Sequence, residues 1–156
     1  MIPMLVFQLI LSTLFTLAQV AAVPPFAEDI LNAKEKERMA RAIKIEDRIK
    51  VYEAASKRIQ QTLEAAVAVD DFSKAPDILK LWDSLLAGSL EDIETNLTTR
   101  KKSKPLIRYE IQVRKAITTL QGYKTKAPVD QQDLFASYLA QAEKVRKRFL
   151  EIIFQQ

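Results

Sequence analysis

The chain has 156 residues, with 24 Lys and Arg against 20 Asp and Glu for a net charge of +4, only two Gly, and neither Cys nor His. Without Cys there is no disulfide, thiolate metal site or cysteine nucleophile, and without His the common neutral-pH general base and the imidazole ligands are gone. Two isolated glycines build neither a phosphate-cradling loop nor a dinucleotide fingerprint, so no cofactor, no metal and no catalytic residues are expected.

The first charged side chain is Glu28. Ahead of it, MIPMLVFQLILSTLFTLAQVAAVPPFA holds an apolar run from Met4 to about Val20, then small residues and the pair Pro24 and Pro25. The pattern predicts a secretory signal peptide over 1–22, with Val20 and Ala22, or Thr16 and Ala18, as the small residues ahead of the cut. It departs from the usual pattern in carrying no Lys or Arg. An uncleaved membrane anchor is the alternative, although a span needs roughly 20 apolar residues and Gln8, Ser12, Thr13 and Thr16 interrupt this run. Export, to a periplasm or the exterior, is the expected localisation, with residues 23–156 as one domain.

Ala, Leu, Lys, Glu, Gln and Arg dominate the remainder, which favours helix. Ile45, Ile49, Tyr52, Ser56, Ile59, Leu63 and Ala66 alternate steps of four and three, the seam of an amphipathic helix. A first helix is predicted over about 27–69, with Glu37–Arg41, Glu46–Lys50 and Glu53–Lys57 as i,i+4 pairs on its outer face. Its opening, ILNAKEKERMAR, is poor in large apolar residues and reads as a projecting stalk. The link DDFSKAPD offers Asp71 or Ser73 as a cap and Pro76 in the next first turn. The stretch AVAVDDFSKAPDILKLW resembles the corner of a tetratricopeptide repeat, but nothing comparable recurs about 34 residues on, so it is taken as αα-hairpin chemistry.

A second helix over about 74–99 carries Leu79, Trp82, Leu86, Leu90, Ile93 and Leu97 as its stripe. Ser103 and Pro105 open a third, reaching about Tyr123 through Leu106, Tyr109, Val113, Ala116 and Leu120. KTKAPVD is the last loop, and Asp130 caps a fourth helix with Val129 and Leu134 as a hydrophobic staple. Phe135, Tyr138, Ala142, Val145, Phe149 and Ile152 form its seam. The aromatic residues on these stripes are assigned to core packing. Short connections predict an all-α fold, an antiparallel up-down four-helix bundle with an extended first helix.

Two carboxylate clusters stand out in the sequence. Glu91, Asp92 and Glu94 read as a solvated face and Asp70–Asp71 as a turn, so a carboxylate hydrolase or a Ca²⁺ site is disfavoured. Asn96-Leu97-Thr98 is a glycosylation sequon at a helix end.

Charge is unevenly spread. Residues 71–99 carry 6 acids and 2 bases, whereas residues 100–126 carry 1 and 9. RKKSKPLIRYEIQVRK, residues 100–115, holds seven cations opposed only by Glu110. A hairpin turning near 102 would set Glu91, Asp92 and Glu94 against Arg108 to Lys115 and neutralise part of the excess. The remainder is a basic tip, and Lys101, Lys102, Lys104, Arg108 and Lys115 are the candidate contact residues for an anionic membrane surface or an envelope polymer. Nucleic acid is disfavoured, because no stacking aromatics alternate with the cations; a protein partner stays open. The expected function is a non-enzymatic, exported bundle of the cell envelope with a binding or structural role. The alternative is a membrane-anchored sensor whose bundle takes a small ligand.

Overall fold

The computed structural model describes residues 22–98 and 102–155. They are helical, with no strand among the described residues. A 3-10 helix, Pro25–Ala27, precedes α1 (Ala33–Arg41), α2 (Ile45–Ala68), α3 (Ala75–Asn96), α4 (Lys104–Lys126) and α5 (Val129–Phe154), which pack against one another. Nearly all of the predicted leader, and Lys101, lie outside the described residues.

The single long first helix is corrected. Asn32 caps α1 in a capping box, its side chain accepting from the Glu35 amide at 2.9 Å while Glu35 accepts from the Asn32 amide at 3.0 Å. The helix stops at Arg41, and α2 restarts at Ile45 after an extended Lys44. No stalk projects. Ala27, Ile30, Leu31 and Met39 are buried, and Arg58 on α2 grips Glu35 through two 2.8 Å bonds and the Ile30 carbonyl through a third. The large apolar residues of this charged stretch, Ile30, Leu31 and Met39, face inward, which folds it back onto α2.

Boundaries further along follow the sequence with local differences. Ser103 caps α4, accepting from the Leu106 amide at 3.4 Å, and Pro105 and Pro76 sit in opening turns. Asp71 does not cap α3; it accepts from the Ser73 amide and hydroxyl within the turn, next to Asp70 at φ 56°. Helix α4 continues to Lys126, so only Ala127 and Pro128 separate it from α5. Pro128 occupies the cap position that was expected for Asp130, and Val129 is 85% exposed, so the staple with Leu134 does not form. No side chain caps this start; the Gln131 amide donates to the Pro128 carbonyl at 2.9 Å.

Residue pairings give the helix directions. Tyr52 meets Asp92 and Ser56 meets Trp82, so α2 and α3 are antiparallel. Glu110–Arg146 and Tyr109–Phe149 make α4 and α5 antiparallel. Glu53–Arg108 and Ser56–Gln112 run in the same sense, so α2 lies parallel to α4; Phe72–Phe135 and Glu94–Arg148 do the same for α3 and α5. Two hairpins are therefore stacked face to face. Helices α3 and α4 lie diagonally across the core, and their Cα atoms nowhere approach within 8 Å. The side-by-side hairpin expected at residue 102 is not formed. A link of this length spans up to roughly 20 Å when extended, enough to cross helices packed about 10 Å apart.

Both hairpins feed one core. Trp82, Tyr52, Tyr109, Phe135 and Phe149 are fully buried with Ile49, Ile59, Leu63, Leu79, Leu85 and Leu86, each such side chain contributing about 1.5–3 kcal/mol. Tyr123 and Tyr138, also assigned to the core, are only half-buried at its margin. Gly88 on α3 has a specific use. The Phe26 ring lies against it, where any Cβ would overlap the ring, and Phe26 also packs on Tyr52 with centroids 5.9 Å apart.

Candidate functional site

The diagonal placement of α3 redistributes the charges. Asp92 turns to α2, accepting two 2.8 Å bonds from Arg48, 2.7 Å from the Tyr52 hydroxyl and 2.8 Å from Asn96. Glu94 turns to α5 and pairs with Arg148 at 2.7 Å. Glu91 is exposed. None of the three faces Arg108 to Lys115, so the expected neutralisation across a hairpin is absent. Glu110 pairs at 2.9 Å with Arg146 on α5. Two of the predicted i,i+4 pairs are also replaced: Lys50 takes Asp47 at 2.7 Å, and Glu53 takes Arg108 at 3.3 Å, while Glu37–Arg41 forms.

The five candidate cations do not form one patch. Lys102 and Lys104 are exposed at the start of α4, and neither has an ion pair among the described residues. The Lys102 ammonium instead sits 5.8 Å from the centroid of Phe154, the last residue of α5. Arg108 is paired with Glu53 and mostly exposed, a contact contributing roughly 0–1 kcal/mol. Lys115, two turns on, is exposed and unpaired among the described residues. It belongs to a groove of about 470 Å³ between α2 and α4, lined by Ile111, Ala116 and Tyr123 and by both the cations Lys57, Arg108 and Lys115 and the acids Glu53 and Glu64. Lys101 cannot be placed with them, being outside the described residues.

Nothing in the residue spacing signals the buried polar chains. Trp82 Nε1 donates to Ser56 Oγ at 2.8 Å, and Ser56 donates on to Gln112 Oε1 at 2.8 Å. Ser89 donates to the Leu86 carbonyl, leaving the Tyr109 hydroxyl to donate to Ser89 at 3.0 Å. Burial, then the hydrogen bond to Asp92, pushes the Tyr52 phenol far up, and burial does the same to Tyr109. Both keep their protons and act as donors. For Glu35, burial favours the neutral form, but hydrogen bonds from Arg58 and the Asn32 backbone outweigh it and hold the carboxyl below its ordinary value. These groups are partnered within the fold, and Gln112 also lines the α2–α4 groove. Such networks fix helix register rather than present a reactive group.

Among the described residues no cluster of three or more Asp or Glu could hold a metal ion, and no helix is long and apolar enough to cross a membrane. Compared with known proteins, the chain matches no family model, no curated protein and no solved structure.

Proposed function

We propose that the protein is an exported, non-enzymatic component of the cell envelope that acts by surface contact. Residues 1–22 are its leader, and α2–α5 form a four-helix bundle over which α1 and the 3-10 helix are laid as a strap. Its contact residues are the α4 cations, Lys102 and Lys104 at the end and Arg108 and Lys115 along the side, and its target is an anionic surface. One observation carries this. Asp92 and Glu94 of α3 are taken by Arg48 and Arg148 on other helices, and Lys102, Lys104 and Lys115 are left facing water. Supporting the non-enzymatic part, the perturbed tyrosines and Glu35 are shifted away from neutrality and held by structural partners.

Flotation with anionic vesicles tests the contact. Each cation near a charged membrane contributes about 1 kcal/mol, so Lys101, Lys102 and Lys104 changed together to Gln should weaken binding about 100-fold. Binding that survives this change, or that ignores salt, sinks the proposal. Cell fractionation with a mass measurement of the N-terminus tests export; a start near Val23 excludes the anchored form.

The α2–α4 groove favours a second reading, a sensor-like bundle taking a small anionic amphiphile. Dodecanoate at millimolar concentration should then raise the melting temperature through preferential binding to the folded state. Lack of any rise removes it.

A further inference from the structure

The two ends of the bundle differ. One end gathers the turn between α1 and α2, the C-termini of α3 and α5 and the N-terminus of α4, as the pairings Glu53–Arg108 and Tyr109–Phe149 require. Two large apolar side chains stand out in water there, Ile43 at 71% and Phe154 at 73% exposure. Around them are the exposed ammonium groups of Lys44, Lys102 and Lys104, with no ion pair among the described residues. The nearby acids are mostly committed, Asp47 to Lys50 and Glu151 to Arg148. At the other end, exposed Val69 and Val129 stand among Asp70, Asp71, Asp130 and Asp133 as well as lysines, a mixture with no excess of positive charge.

We infer that the Ile43–Phe154 end docks end-on against an anionic lipid bilayer, the two apolar side chains entering the headgroup boundary while Lys44, Lys102 and Lys104 meet lipid phosphates. This deepens the proposed function and rests on its anionic target, committing it to lipid rather than polymer. Exposed apolar groups ringed by cations suit an interface in which hydrocarbon lies just beneath negative charge. The Lys102–Phe154 pair supplies that arrangement in one contact, with the ring able to go down and the ammonium able to stay at phosphate level.

The test uses the full chain with Phe154→Trp, in anionic vesicles whose acyl chains are brominated near the glycerol. Trp82 is 1% exposed and provides a constant background. The expected result is quenching of the introduced indole, lost when Lys102 and Lys104 become Gln. In parallel, Phe154→Ser should lower vesicle partitioning about tenfold and leave binding to soluble polyphosphate unchanged. Phe154 is exposed, so neither substitution disturbs the core. An unquenched indole, or equal loss on vesicles and polyphosphate, overturns the lipid inference. If the Gln variants still lose vesicle binding in that case, the proposed function stands; if they do not, both fall.

Discussion

Gly88 and Phe26 offer a test in which a single substitution should reverse its sign with background. Gly88 lies inside α3, where Ala is preferred by about 1 kcal/mol. The Phe26 ring covers the position that the new Cβ would take, so Gly88→Ala must expel it. The ring is half-buried, so losing its packing costs about 1–1.5 kcal/mol. Losing its tilted contact with Tyr52 adds about 0.5–1 kcal/mol. Against a gain of about 1 kcal/mol, the net effect is a loss of about 1 kcal/mol, or roughly 4 °C in Tm for a domain of this size. With Phe26→Ala already in place, the same Gly88→Ala change should stabilise by about 1 kcal/mol. The coupling is then about 2 kcal/mol. Urea denaturation followed by circular dichroism at 222 nm measures all four chains. If Gly88→Ala has the same sign in both backgrounds, the ring does not depend on the missing side chain and the account of this contact is wrong. The outcome also reports on the strap, since an expelled Phe26 should expose the segment around Pro25–Ala27 to proteolysis.

Other expectations concern the buried charges. Asp92→Ala leaves the Arg48 guanidinium and the Tyr52 hydroxyl without their acceptor and should cost about 3 kcal/mol in urea unfolding, since the pair is only 15% and 13% exposed. Replacing both members, Arg48→Met with Asp92→Leu, should recover most of that loss; failure to recover it would show that the site needs the ion pair itself. For Glu35, whose folded pKa is depressed, the contribution to stability is present above the unfolded value of about 4.3 and is lost as pH falls through the folded value. Glu35→Gln can keep the capping-box geometry, so it should lower the urea midpoint at pH 7 and flatten its fall between about pH 5 and 3. An acid limb of unchanged steepness assigns that loss to other carboxylates.

Helix content was legible because the stripes are dense: Ile45 to Leu63 and Leu106 to Leu120 repeat at helical spacing with nothing to break them, and they are buried as read. A stripe says which face is covered but not by which neighbour. The exchange of partners, with α2 beside α4 and α3 across from it, follows from long-range packing that no local spacing encodes. The break at Ala42–Lys44 carries no Gly or Pro to announce it, although the start of α1 had a signal in Asn32 and Glu35, which are spaced as a capping box. The candidate surface fared similarly. Lys101, Lys102, Lys104, Arg108 and Lys115 were chosen by charge density alone; the four that lie within the described residues are exposed, as surface cations generally are. Their division between an end and a groove depends on α4's neighbours. Ile43 and Phe154 escaped notice because single apolar residues at helix ends look like the close of a core stripe.

The relay through Ser56 also bears on how the chain assembles in time. Its first hydrogen bond, from Trp82, joins residues 26 apart within one hairpin; its second, to Gln112, joins residues 56 apart between hairpins. Doubling a loop adds only about 0.6 kcal/mol to its closure, but the first contact can form on a shorter chain. The indole's bond to Ser56 thus depends on the α2–α3 hairpin alone, whereas the bond from Ser56 to Gln112 requires both hairpins to be in place.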